Sequence, residues 1–171
     1  DKDYNLIDPA HSREFMEYLR RSVDVARFLG CENLVLHSNA LAEEGRMCTD
    51  GNDLNDRTKI ACATKNLLES AKIAEAGGVT LQLEPVSVYA KPGYYMTTSA
   101  SAADIIRVVD SPNLKLLYDI YHMQLMEGDL VNTLRKNADI LGYIHIGDVP
   151  GRHEPGTGEI NYGCLKKVLV E

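Results

Sequence analysis

The sequence is short of basic charge: 18 lysines and arginines stand against 25 aspartates and glutamates, a formal net charge of −7 with a pI near 5.2. A partner held mainly through phosphates needs a concentrated basic surface, so no nucleic acid is expected as a partner. Long hydrophobic runs are also missing. The longest are far too short to cross a bilayer, and the first residues carry no signal-peptide pattern. No membrane partner is expected, and a cytoplasmic location is the default. The four cysteines, Cys31, Cys48, Cys62 and Cys164, contain no C-x-x-C pair. That fits neither a zinc knuckle nor a disulfide scaffold and leaves them as reduced, structural residues. Low-complexity segments and interdomain linkers are lacking as well.

What is there is ordinary for a globular domain: 171 residues, 44% hydrophobic and 25% charged, enough for one good core. A single domain over residues 1–171 is expected. The sequence opens at Asp1 without a methionine and stops at Glu171 within an amphipathic pattern, "YGCLKKVLVE", so a piece of a longer protein is expected. Asp8, an N-cap followed by Pro9, predicts a helix through Phe15, Leu19, Val23 and Ala26 to Gly30. "ENLVLHSN" reads as a strand, residues 40–52 as a loop, and residues 54–76 as a long helix ending at Gly77-Gly78. The strand "VTLQLEPV", a loop rich in Tyr, Pro and Gly, a helix over 101–109 and the strand "NLKLLYDIYH" follow. Asp129 is the expected cap of the helix "LVNTLRKNADIL", after which come the strand "GYIHIGDV" and the loop "PGRHEPGTGEIN". Strands alternating with helices mean βαβ units and a parallel sheet.

Strand side chains alternate between faces, so the apolar phase of each strand locates its polar residues. The helix-facing sets are Leu34/Leu36, Leu81/Leu83, Leu116/Tyr118 and Ile144/Ile146; the opposite phase carries His37, Glu84, Asp119 and His145. All four sit near the C-terminal ends of their strands. In a closed (β/α)₈ barrel the face away from the helices is the interior and the C-terminal strand ends form the active-site rim. An open doubly wound sheet has helices on both faces and leaves no such interior, so the barrel is the expected fold. The carboxylates of Glu84 and Asp119 with an imidazole from a neighbouring strand suit a divalent metal, Mn²⁺, Mg²⁺, Co²⁺ or Zn²⁺. His122, three residues beyond Asp119, is placed at the strand exit, in reach of a substrate oxygen. His37 is read as lining the pocket.

The segments "LEPV", "YDIYHMQLMEGDL" and "GYIHIGDVPGRHEPGTGEINY" resemble the hydroxypyruvate isomerases, within the xylose-isomerase-like TIM barrels that also include ketose 3-epimerases and inosose dehydratases. The resemblance covers nearly the whole sequence and aligns it with the middle of the barrel, about strands three to six. It implies a metal held by Glu84, Asp119 and His145, with a further Glu expected on strand eight, beyond Glu171. It also implies substrate contacts from His122 and Arg152, and a proton moved by Glu84 through an enediolate of a small hydroxy-carbonyl substrate, hydroxypyruvate first. Apurinic-site nucleases share the barrel but need additional histidine ligands and a basic groove. A degenerate barrel that only binds a sugar or a partner chain is the third class. Four strands of such a barrel leave open sheet edges and an exposed apolar inner surface, so an isolated piece is expected to aggregate, pair as a homo-oligomer or be poorly active.

Overall fold

A computed structural model describes residues 5–41 and 52–170. Most of the loop predicted over residues 40–52, with Cys48, lies outside the described residues. Asp8 caps as expected: its Oδ1 accepts the Ala10 N–H at 2.9 Å. What it caps is a short 3₁₀ turn, Pro9–His11, that leads into helix α1, Ser12–Leu29. The stripe Phe15, Met16, Leu19, Val23 and Ala26 is buried, and Gly30, in the left-handed region at φ +68°, returns its N–H to the carbonyls of Ala26 and Arg27.

The remaining elements follow in alternation: β1 (Asn33–Leu36), α2 (Asp56–Gly77), β2 (Thr80–Leu83), α3 (Ser99–Val109) and β3 (Leu114–Asp119), then α4 (Ile120–Met126), α5 (Leu130–Lys136), β4 (Leu141–His145) and α6 (Tyr162–Leu169). The four strands form one parallel sheet in chain order, β1-β2-β3-β4. Leu36 lies opposite Leu83, Leu83 opposite Leu116, and Asp119 opposite His145, with a register shift at Leu116/Leu117. An order that never reverses is an arc of a barrel rather than a doubly wound sheet. The helix-facing residues Leu81, Leu83, Leu114, Leu116 and Tyr118 share one core with Leu67, Ala71, Ala74, Ile106 and Val109 from α2 and α3.

Several expectations change. The strand predicted through His122 ends at Asp119, and residues 120–126 are helical. The helix expected over 130–141 stops at Lys136. Asp129 does not cap it; at φ +42° its carboxylate instead accepts the Asn132 side-chain N–H at 2.8 Å. Ile146, assigned to the helix-facing set, is 61% exposed, since β4 has already ended at His145. Cys62 is buried, whereas Cys31 and Cys164 are exposed and are not core residues. On the sheet's other face Gly142 lies so close to its neighbours that a Cβ would overlap that of Lys115 and come within 2.5 Å of Gln82 Oε1. Among the described residues no helix is long and apolar enough to cross a membrane.

Candidate metal and substrate site

His37 follows the last residue of β1, Glu84 follows the last of β2, and Asp119 and His145 end β3 and β4. The strands therefore deliver all four side chains to one edge of the sheet. Glu84 and Asp119 are buried, 5% and 1% exposed, and a buried carboxylate needs positive or hydrogen-bonding partners. Both oxygens of Glu84 have one: His37 Nε2 lies 3.0 Å from Oε2 and His145 Nδ1 lies 3.1 Å from Oε1. Burial raises the Glu84 pKa, but the bonds and charge of His37 and His145 outweigh it and hold the carboxyl below the usual range. Asp119 Oδ2 accepts from Arg152 Nη2 at 2.6 Å and lies 3.6 Å from His145 Nδ1.

Asp119 also turns the chain. Its Oδ1 accepts the His122 backbone N–H at 3.1 Å and so caps α4, which puts His122 on the first helical turn rather than on a strand. The buried His122 ring has Nδ1 3.2 Å from Ser87 Oγ and Nε2 3.8 Å from Asp119 Oδ2. Burial, reinforced by the Arg152 charge, lowers its pKa against the opposing pull of Asp119 and Glu84, so the ring is neutral near pH 7. Glu84, Asp119 and His122 each offer a donor atom within 4.8 Å of the others. The set expected from the sequence, with His145, is brought together at the same place, and His122 joins it. Two carboxylates with imidazole nitrogens fit a divalent cation; the Arg152 guanidinium beside them supplies positive charge, and the ring nitrogens of His37 and His145 supply hydrogen-bonding partners.

The loop after β4 brings in Arg152, whose guanidinium lies over the Tyr121 ring, 5.3 Å from its centroid. Sequence reading missed what shapes this loop. Asp148 is fully buried, and its Oδ1 accepts the N–H groups of Val149 at 2.9 Å and Ile160 at 3.0 Å while Oδ2 accepts that of Gly156 at 2.7 Å. Burial raises the Asp148 pKa, yet these amide bonds outweigh it and leave the carboxyl below the usual range. The available signal was an Asp ahead of a Pro-Gly loop, a place where its short side chain captures backbone amides. Tyr94, in the loop rich in Tyr, Pro and Gly, also has a role that the sequence pattern does not disclose. Its buried hydroxyl donates to the Glu84 carbonyl at 2.9 Å and accepts the Ser38 N–H at 3.0 Å, which ties the ends of β1 and β2 together. Tyr89 is 74% exposed, and Tyr95 packs under Lys59. His153 and Glu154 are exposed loop residues.

The signature of the xylose isomerase-like TIM barrel family matches residues 2–171. The chain is 35% identical over 161 residues to the hydroxypyruvate isomerase of Escherichia coli strain K12, covering 94% of this chain and 59% of that one. It is 30% identical over 162 residues to the 2-oxo-tetronate isomerase of Cupriavidus necator, covering 94% of this chain and 58% of that one. The crystal structure of AP endonuclease family 2 from Brucella melitensis superposes with a TM-score of 0.85 at 28% identity over 96% of this chain and 60% of that one. The chain thus spans about three-fifths of the length of these relatives. With the unreversed arc of strands and a site at their C-terminal ends, these matches show that the chain belongs to the xylose isomerase-like TIM barrel family.

Proposed function

We propose that this chain carries the metal and substrate site of an isomerase that moves a proton between adjacent carbons of a small hydroxy-carbonyl compound, hydroxypyruvate to tartronate semialdehyde first. A ketose 3-epimerase or an inosose dehydratase would draw on the same residues. The observation that carries this reading is the convergence of Glu84 and Asp119, both buried, with His122 and His145 on one edge of the sheet. The names of the relatives, hydroxypyruvate isomerase and 2-oxo-tetronate isomerase, support the same chemistry.

Glu84, Asp119 and His145 would hold the divalent ion, Mn²⁺, Mg²⁺, Co²⁺ or Zn²⁺, with His122 beside them. When bound, such an ion supplies Lewis-acid stabilisation of negative charge developing on the substrate oxygens. Glu84, ionised because its pKa is held down, takes the proton from the hydroxyl-bearing carbon next to the carbonyl and returns it to the former carbonyl carbon, while the hydroxyl proton passes to the former carbonyl oxygen. His122 donates a hydrogen bond to a substrate oxygen as the enediolate forms. Arg152, now on Asp119, has the fork geometry to receive a substrate carboxylate, which a lysine would not reproduce. The net charge of −7 speaks against a nucleic-acid substrate, whose phosphates require a basic groove.

The test uses the complete protein depleted of metal and assayed on hydroxypyruvate and a panel of ketoses, with and without added Mn²⁺ or Mg²⁺. Activity is expected to require the ion and to fall by a factor on the order of 10³ or more in Glu84→Gln, an effect large enough to mark loss of the proton-transferring group. Turnover that survives both metal removal and Glu84→Gln would overturn the assignment.

A further inference from the structure

We propose that Ser87 sets the tautomer of His122, holding the ring proton on Nε2 and so making His122 a hydrogen-bond donor to substrate rather than a metal ligand. The inference rests on the isomerase reading for its meaning, though its geometry stands apart from it. Ser87 lies three residues beyond Glu84 and is fully buried. Its Oγ has two hydrogen-bond partners among the described residues, the Ala90 backbone N–H at 3.3 Å and His122 Nδ1 at 3.2 Å. A hydroxyl carries one proton to donate, and a buried donor is almost always paired. The Ala90 amide is itself a donor, so it cannot accept that proton. The hydroxyl proton therefore goes to His122 Nδ1, which must present its lone pair.

A neutral imidazole with a lone pair on Nδ1 carries its proton on Nε2. Nε2 is the nitrogen that faces Asp119, at 3.8 Å, and His122 offers a ring nitrogen to the same cluster as Glu84 and Asp119. An N–H there can donate to a substrate oxygen and offers no lone pair to a cation. His145 is in the opposite position. Its Nδ1 faces Glu84 at 3.1 Å and Asp119 at 3.6 Å. Its Nε2 has no hydrogen-bond partner among the described residues, so nothing prevents the proton from moving there and freeing Nδ1 for an ion. The two histidines thus divide the work, and Ser87 is the positioning residue that separates their roles.

Long-range ¹H–¹⁵N correlation of the histidine rings in the complete, metal-free protein reads the tautomer directly, with His122→Gln assigning the signals. Wild type is expected to show a pyridine-like Nδ1 and a protonated Nε2 for His122. Ser87→Thr, which keeps the hydroxyl, should preserve that pattern, and Ser87→Ala should shift it toward the other tautomer. A protonated Nδ1 in wild type, or an unchanged pattern in folded Ser87→Ala, overturns the proposal; should Ser87→Ala fail to fold, the wild-type and Ser87→Thr spectra still decide. Mn²⁺ titration gives a second reading. His122→Gln should leave the affinity within about three-fold, and a loss on the order of 10-fold or more, the range expected when a metal's ligand shell is damaged, also overturns it. No substrate enters either experiment, so an inactive protein with the Nε2–H tautomer would count against the proposed function and not against Ser87.

Discussion

Asp148 accepts three backbone N–H groups that reach it across a dozen residues of loop, and through them it shapes the segment from which Arg152 extends to Asp119. Asp148→Ala leaves those amides without an acceptor and frees Arg152 from its aim. A loss of kcat/KM on the order of 10- to 100-fold on a carboxylate substrate is expected, since small misplacements of binding groups have effects of that size. Faster hydrogen exchange at the amides of Gly156 and Ile160 should accompany it, and unchanged exchange at both would contradict the role given to Asp148. The contrast between Asp148 and Glu84 shows what a sequence discloses about a site. Glu84, Asp119 and His145 were legible because strand alternation is a local rule and places each side chain without knowledge of its partners. Asp148 and Ser87 were not, because their partners are fixed only after the loop has closed.

At the level of elements, the boundary between β3 and α4 shows the same limit. "YDIYHMQ" combines Tyr and Ile, good strand formers, with no glycine or proline to mark a stop. The helix nonetheless begins at Ile120 because Asp119 caps it, so the acid offered as a metal ligand is also the punctuation that ends the strand. Asp129 looked like the same signal and is not, since at the left-handed backbone of Gly128 and Asp129 its carboxylate takes the Asn132 side-chain N–H instead of a backbone N–H. The pairing of β3 with β4 supplies a sharper test. Gly142 sits against Lys115 and the Gln82 amide with no room for a side chain. Gly142→Ala should therefore destabilise the fold by about 1–3 kcal/mol, the usual cost of forcing a methyl into a packed site. Urea unfolding measures it, and a variant as stable as wild type would show that the sheet yields there.

For the molecule as a whole, burial at the site predicts how stability depends on pH. His122 has a folded pKa below its ordinary 6.5 and Glu84 one below its ordinary 4.5. In both cases the unfolded chain takes up protons more readily than the folded one, so acid favours unfolding. The metal-free protein should be most stable above about pH 6.5, lose stability first as His122 is driven to charge, and lose more below about pH 4.5 through Glu84. Urea midpoints that do not fall between about pH 7 and 5, or that fall equally in His122→Gln, would refute this. The overall architecture was the most legible part, because alternating helices and strands with one polar strand phase leave few arrangements; the ends of strands and helices, set by caps and loop amides, were the least. The unreversed strand order has one more consequence. Among the described residues no strand of the second half threads between those of the first, and Val88, Tyr89 and Ala90 are exposed in the connection between β2 and β3. A cut there would leave His37, Glu84 and Ser87 on one fragment and Asp119, His122, His145 and Arg152 on the other. The site is therefore a natural reporter of fragment complementation, present only while the two pieces are reunited.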